Sequence, residues 1–138
     1  MYIIFLRKHI DFKNICQISI INMEKLLYST DKINSFCNLV MAYPAIENFA
    51  MSSLGYLWLY KLADSTEGMN VKRVYTDKIM FPFKQTDAVS FSMSFDFDFM
   101  GVFKILEKNN IPLFSKDRTQ DMPLIFAGGP VITTNPFP

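Results

Sequence analysis

Three observations predict an α/β fold for residues 36–138, an open sheet of parallel strands with helices on its faces. The first is residues 38–62, NLVMAYPAIENFAMSSLGYLWLYKL, which read as a buried strand, a Pro-broken loop and a buried helix. The second is the cleanest alternation in the chain, with Val89, Phe91 and Met93 on one side and Ser90, Ser92 and Ser94 on the other. The third is the order strand, helix, strand, loop, strand, helix, strand. Right-handed crossovers turn that order into a sheet covered on both faces.

Each element has its own warrant. Residues 36–42 (FCNLVMA) are almost continuously apolar, as strands buried on both faces are. Tyr43-Pro44 ends the run, because Pro has no N–H for a ladder. Asn48 or Ser52 is placed to cap the next helix. Its core stripe reads as Met51, Leu54, Trp58 and Leu62, with Leu57 beside them. Gly55 is expected to let helix and strand approach closely, and Glu67-Gly68 forms the exit turn. Residues 71–76 (VKRVYT) alternate weakly and suit an edge strand, and residues 77–85, with Phe81-Pro82-Phe83, form a loop.

The serine side of the 88–94 strand is small, so something packs close to it. A helix backbone and a ligand near Ser92 and Ser94 are the two readings. Asp96 or Asp98 is placed to cap a second helix, favoured by its dipole, with Phe99, Val102, Phe103 and Leu106 as its core stripe. Capping also explains that carboxylate pair better than acid–base or metal chemistry does. Asn109-Asn110 supplies a left-handed cap before Ile111-Pro112. Residues 123–127 (PLIFA) make a last strand, and no helix is expected after it. Gly128-Gly129 permits positive φ and close backbone approach to a ligand, or makes a plain turn.

The natural arrangement is a flavodoxin-like or Rossmann-like open parallel sheet with flanking helices and the first strand central. It is incomplete at its C-terminal end by one strand and one helix. Ligands of such sheets sit outside the C-terminal strand ends, where the strand order switches. That edge collects residues 43–49, 94–95 and 128–130.

Bulk properties narrow the function classes. Half of the 138 residues are hydrophobic, with 14 Phe and 9 Met; the core is large, or apolar surface awaits a partner. A net charge of +1 gives no footprint for nucleic acid. Cys16 and Cys37 are too isolated for a disulfide framework or a metal site, and read as reduced thiols of a cytoplasmic protein. His9 precedes any folded pattern. Residues 1–6 are apolar and followed by Arg7-Lys8, the wrong order for a secretory signal, and no run approaches the ~20 residues of a membrane span. Residues 1–35 are expected to be an N-terminal extension, partly disordered. Met23 offers a second start that would leave residues 1–22 upstream of the protein. There is no GxGxxG, no Walker loop and no GxSxG. A nucleotide binder on the same scaffold and a serine hydrolase therefore rank last.

Tyr43-Pro44, Met51-Ser52-Ser53-Leu54-Gly55 with Tyr60, Arg73-Val74-Tyr75 and the strand 88–94 recur in this order in one family. Asn110-Ile111-Pro112-Leu113, Arg118, the run PLIFAGGP at 123–130 and Asn135-Pro136 continue the match. Over residues 36–138 the chain resembles the N-terminal domain of a group of radical S-adenosylmethionine (radical SAM) proteins, a domain related to the cobalamin-binding domain. The resemblance implies an accessory domain leading into a radical SAM barrel, with the 4Fe-4S cluster and S-adenosylmethionine bound only downstream. The CxxxCxxC that would hold the cluster does not occur in these 138 residues. The chain is thus expected to be a non-catalytic N-terminal piece of an enzyme, with no metal ligands of its own.

The resemblance also implies the candidate cofactor-binding residues. These are Pro44, Ala45, Glu47, Asn48 and Ser52 after the first strand, with Ser92, Ser94, Gly128 and Gly129. Cobalamin domains that bind through histidine carry DxHxxG after the first strand. Here residues 44–50 read PAIENFA, which excludes histidine ligation of cobalt at that loop. Cobalamin without a histidine ligand, and no cobalamin at all, both stay open. The alternative is a cofactor-free interaction domain. Its Phe- and Met-rich surface would dock on the barrel or on another subunit.

Overall fold

A computed structural model of the chain describes residues 35–79, 81 and 83–134. Apart from Ser35, the expected extension at residues 1–35, with His9 and Cys16, lies outside them. Four strands, β1 (Cys37–Ala42), β2 (Met69–Val74), β3 (Ala88–Ser92) and β4 (Leu124–Gly128), form one sheet in the order β2-β1-β3-β4. Every pairing is parallel. The first strand is central and the second is an edge, as its weak alternation predicts. The helices are α1 (Glu47–Ser52), α2 (Leu54–Ser65), α3 (Asp98–Lys108) and α4 (Pro130–Thr134). The fold is therefore α/β and flavodoxin-like or Rossmann-like. The short α4 corrects the expectation that no helix follows the last strand; Pro130 opens it, where a missing N–H costs nothing.

The alternation of β1 and β3 divides the core in two. Val40, Ala42, Val74, Val89, Phe91 and Met93 meet Ile105 and Leu106 of α3, Ile111 and Val131 on one face. Met41, Tyr43, Val71 and Tyr75 meet Ala50, Tyr56 and Tyr60 on the other. At the N-terminal edge a polar clasp sets the register. Asp87 accepts from the Asn38 amide at 2.7 Å and donates its own N–H to the Asn38 carbonyl at 2.9 Å, while the Asn70 side chain donates to that of Asn38 at 3.2 Å.

The helices differ from expectation in detail. Helix 47–65 is broken at Ser53, whose extended backbone and Oγ, accepting from Tyr56 N–H at 3.4 Å, start α2; neither Asn48 nor Ser52 is that cap. The buried face of α2 is Tyr56 and Tyr60, whereas Leu54 and Leu62 of the expected stripe are exposed. A Tyr can replace a Leu there because its polar tip is satisfied: Tyr56 Oη donates to the Met41 carbonyl at 3.0 Å. The expected stripe of α3 largely holds, with Leu106 buried and Phe99 and Val102 packed against the core, but Phe103 is exposed and Ile105 is fully buried in addition. Gly55 has open space where a Cβ would be, so it mediates no close approach. Asp98 lies inside α3 and is not its N-cap.

Asn110, at φ 55°, makes the expected left-handed cap, with Ile111 N–H returning to the Leu106 carbonyl at 3.0 Å. Asn109 beside it is buried and latches the preceding loop. Its amide donates to the carbonyls of Ile79 (2.9 Å) and Ile105 (2.8 Å), and its Oδ1 accepts from Phe81 N–H (3.2 Å). Asn109→Ala leaves these groups unpaired and is expected to cost about 2–3 kcal/mol, read as a lowered midpoint in urea unfolding with an unchanged slope.

Candidate functional site

Strand register brings the candidate residues to one edge. Ala42 is opposite Phe91 and Ser92 is opposite Gly128, so Tyr43-Pro44, Ser92–Ser94 and Gly128-Gly129 continue side by side from three neighbouring strands. What they meet there is mainly the protein itself. The start of α3 is laid across the loop after β1. A Cβ added at Gly101 would lie 1.9 Å from the Pro44 carbonyl oxygen, so that backbone contact needs glycine. Asp98, one turn earlier and buried, accepts at a single oxygen, Oδ2, from the amides of Ser94 (2.6 Å) and Phe95 (2.9 Å). Its carboxylate braces the β3–α3 turn.

The rest of the first loop is tied to the turn after β2. Thr76 N–H donates to the Ala45 carbonyl at 2.9 Å, and Glu47 N–H donates to Asp77 Oδ1 at 3.0 Å. The Glu47 carboxylate pairs with Lys78. Asn48 is exposed, and so is Ser52, whose Oγ donates back to the Phe49 carbonyl at 2.7 Å. Gly129, at φ 126°, approaches a backbone closely, but that backbone is the protein's own: a Cβ there would sit 2.0 Å from the Met93 carbonyl oxygen. Gly128 is exposed with open space around it, and Ser92 and Ser94 are half-buried. Gly101, Asp98 and Asn109 were not singled out as site-shaping by sequence reasoning. A glycine within the apolar first turns of the helix was the available signal for the first.

Behind the loop lies a cluster of tyrosines. The Tyr43 and Tyr56 rings meet edge-on at 5.2 Å and those of Tyr56 and Tyr75 at 6.3 Å, while the Arg73 guanidinium lies 4.5 Å over Tyr60. Burial pushes the phenols of Tyr56 and Tyr75 above their ordinary value of 10, with Arg73 pulling the other way. Because the folded state disfavours the phenolate, this contribution is complete below pH 10 and falls away above it, as the unfolded chain ionises first. In an alkaline titration, the phenolate absorbance of Tyr56 is expected to appear only together with loss of the far-UV helical signal. Cys37 lies at the opposite edge of the sheet, and burial and then Asp87 push its thiol up, which makes it a poor nucleophile.

Outside the braced loops the edge is apolar. A cavity of about 480 Å³ is lined by Pro44, Thr76, Phe97, Met100, Gly101, Phe103, Lys104 and Glu107. Phe97 is 88% exposed; Met100 beside it in the cavity lining and Phe95 on the same turn are exposed too, and Ile46 and Phe49 are exposed on the loop and helix after β1. Among the described residues no three His, Cys, Asp or Glu side chains gather to hold a metal. A cobalamin held through histidine does not fit this loop. A group threaded beside the Pro44 carbonyl meets Gly101. A flat group laid on Phe97 and Met100 without a protein ligand would meet Phe103 and Pro44 as well as the polar Thr76, Lys104 and Glu107. No described helix is long and apolar enough to cross a membrane.

Residues 72–138 match the family model for radical SAM proteins, N-terminal. No curated protein and no solved structure matches the chain. The matched stretch begins within β2 and takes in β3, α3, β4 and α4, with Ser92, Ser94, Gly128 and Gly129; the loop at 44–52 lies before it. Over residues 72–138 the chain is similar to the N-terminal domain of radical SAM proteins, which supports reading it as an accessory part of such a protein.

Proposed function

We propose that this chain is a non-catalytic accessory domain of a radical SAM protein, and that its C-terminal sheet edge is a docking surface for the radical SAM barrel. The observation that carries the proposal is the contrast at that edge. The loops are closed from within, by Gly101 on Pro44 and by Asp98, Thr76 and Lys78. The side chains left outside are Ile46, Phe49, Phe95, Phe97 and Met100. Exposed aromatic and Met side chains of this kind are enriched at protein–protein contacts. The iron–sulfur and S-adenosylmethionine chemistry belongs to the partner in this reading.

Titration calorimetry against a separately expressed radical SAM barrel from the same gene tests it. Saturable binding that Phe97→Glu weakens at least ~10-fold is the expected result. Unchanged binding by that variant, absence of binding, or a gene that encodes no such barrel overturns it. A second reading, cobalamin laid on the Phe97–Met100 floor without a histidine ligand, is favoured by the cavity beside them.

A further inference from the structure

Helix α1 is held mainly by what lies at its start. It has six residues, and only Ala50 among them is buried. A helix so short has little stability of its own. Ile46 at its N-cap has no side-chain oxygen, and the cap comes from another segment: Glu47 N–H donates to Asp77 Oδ1 at 3.0 Å. Thr76 N–H donates to the Ala45 carbonyl, and the Glu47 carboxylate pairs with Lys78. All three ties run to the turn 76–78 after β2. At its other end α1 stops at Ser53, whose extended backbone (φ −85°, ψ 99°) separates it from α2.

Beneath α1 lie the tyrosines. Ala50 and Met51 pack in the same cluster as Tyr43, Tyr56, Tyr60 and Tyr75. Tyr75 is 2% exposed, and its hydroxyl makes no hydrogen bond. The neighbouring Tyr56 hydroxyl already donates to the Met41 carbonyl. A buried hydroxyl left this way is costly, and the cost is relieved when water reaches it.

We infer that residues 45–52 form a lid over the tyrosine cluster, latched on the turn 76–78, which opens as a unit while the sheet stays folded. Its two fixed ends are Pro44, pressed on Gly101, and Ser53 at the start of α2. Opening breaks the three ties and the contacts of Ala50 and Met51, and it hydrates the Tyr75 hydroxyl. The β1–β2 pairing is kept, because Tyr43 N–H, ahead of the lid, bonds the Val74 carbonyl at 2.9 Å. The lid carries Ile46 and Phe49, so its opening moves two exposed apolar side chains of the C-terminal edge.

Native-state hydrogen exchange of the Glu47 and Thr76 amides tests this, under conditions where exchange follows the opening equilibrium. Both amides lose their acceptors when the lid opens. The expected result is that both exchange through one common opening, faster than the β3 amides and with little dependence on denaturant. Tyr75→Phe removes the unbonded hydroxyl and is expected to slow both amides at least ~5-fold. Asp77→Ala is expected to speed the Thr76 amide by a similar factor. Ile105→Ala, in the apolar cluster on the other face of the sheet, is expected to speed the β3 amides and leave these two unchanged. Exchange of both amides only with the β3 core, at the core's denaturant dependence, overturns the inference. So does equal acceleration of all these amides by Ile105→Ala, or exchange that Tyr75→Phe leaves unchanged or makes faster. If the variants fail to fold, the denaturant dependence in the unaltered chain decides alone.

Discussion

Gly101→Ala is expected to destabilise the fold by about 3 kcal/mol. The added Cβ would fall 1.9 Å from the Pro44 carbonyl oxygen, 2.6 Å from its carbon and 2.8 Å from its Cα, all backbone atoms of a loop held on its other side by Thr76. A flexible side chain could move aside; this loop and helix must separate. For a domain of this size, such a loss lowers the melting temperature by more than about 10 °C. Gly55→Ala is the matched control. Gly55 is also helical, has open space at its Cβ and no positive φ. Replacing it is expected to stabilise by up to about 1 kcal/mol, through helix propensity and a less flexible unfolded chain. Thermal unfolding of the two variants separates close contact from a general intolerance of alanine.

Asp98→Ala is expected to cost a similar amount, about 3 kcal/mol, since hydrogen bonds to a buried charged acceptor contribute roughly 1.5–3 kcal/mol each. Both amides, of Ser94 and Phe95, bond the same oxygen. Asp98→Asn can therefore keep both bonds by placing its carbonyl oxygen there, and should lose about half as much. In equilibrium denaturation the order wild type, Asn, Ala supports a brace on the β3–α3 turn. Equal losses for Asn and Ala would show that the charge itself is required. No loss for either would remove Asp98 from the account. Because this turn carries Phe95 and Phe97, Asp98→Ala is also expected to weaken docking by more than its stability cost alone explains.

Much of the framework was legible from pattern. The parallel order follows from the unbroken apolar run of β1 and the alternation of β3, and the edge position of β2 from the weak alternation of residues 71–76. The left-handed Asn110 follows from the Asn-Asn-Ile-Pro sequence. The convergence of residues 43–49, 94–95 and 128–130 follows from strand direction alone. What was not legible depends on contacts between segments far apart in sequence. Leucine spacing suggested the wrong face for α2, because the Met41 carbonyl that lets Tyr56 bury its hydroxyl is visible only after folding. Gly55 and Gly101 look alike as helical glycines, and only the position of Pro44 tells them apart. Gly129 was expected to take a positive φ, for close approach to a ligand or for a plain turn; the positive φ is there, and the backbone it approaches is that of Met93. Asp98 was read as a helix cap, whereas its bonds run backward to the turn.

The cofactor question turns on the same contacts. A loop without histidine leaves open whether cobalamin binds in some other way. A loop whose carbonyl rests on Gly101 and whose carboxylate holds Lys78 gives such a molecule little to displace. The exposed Phe95, Phe97 and Met100 are, in the proposed reading, a surface for another protein. The proposed docking of a protein at this edge is separated from the second reading, cobalamin, by titrating the purified chain with hydroxocobalamin and following the visible spectrum. The expected result is no saturable spectral change and no cobalamin retained after gel filtration. A saturable change at one equivalent, abolished by Phe97→Glu, would contradict it and establish the cavity as a cofactor site.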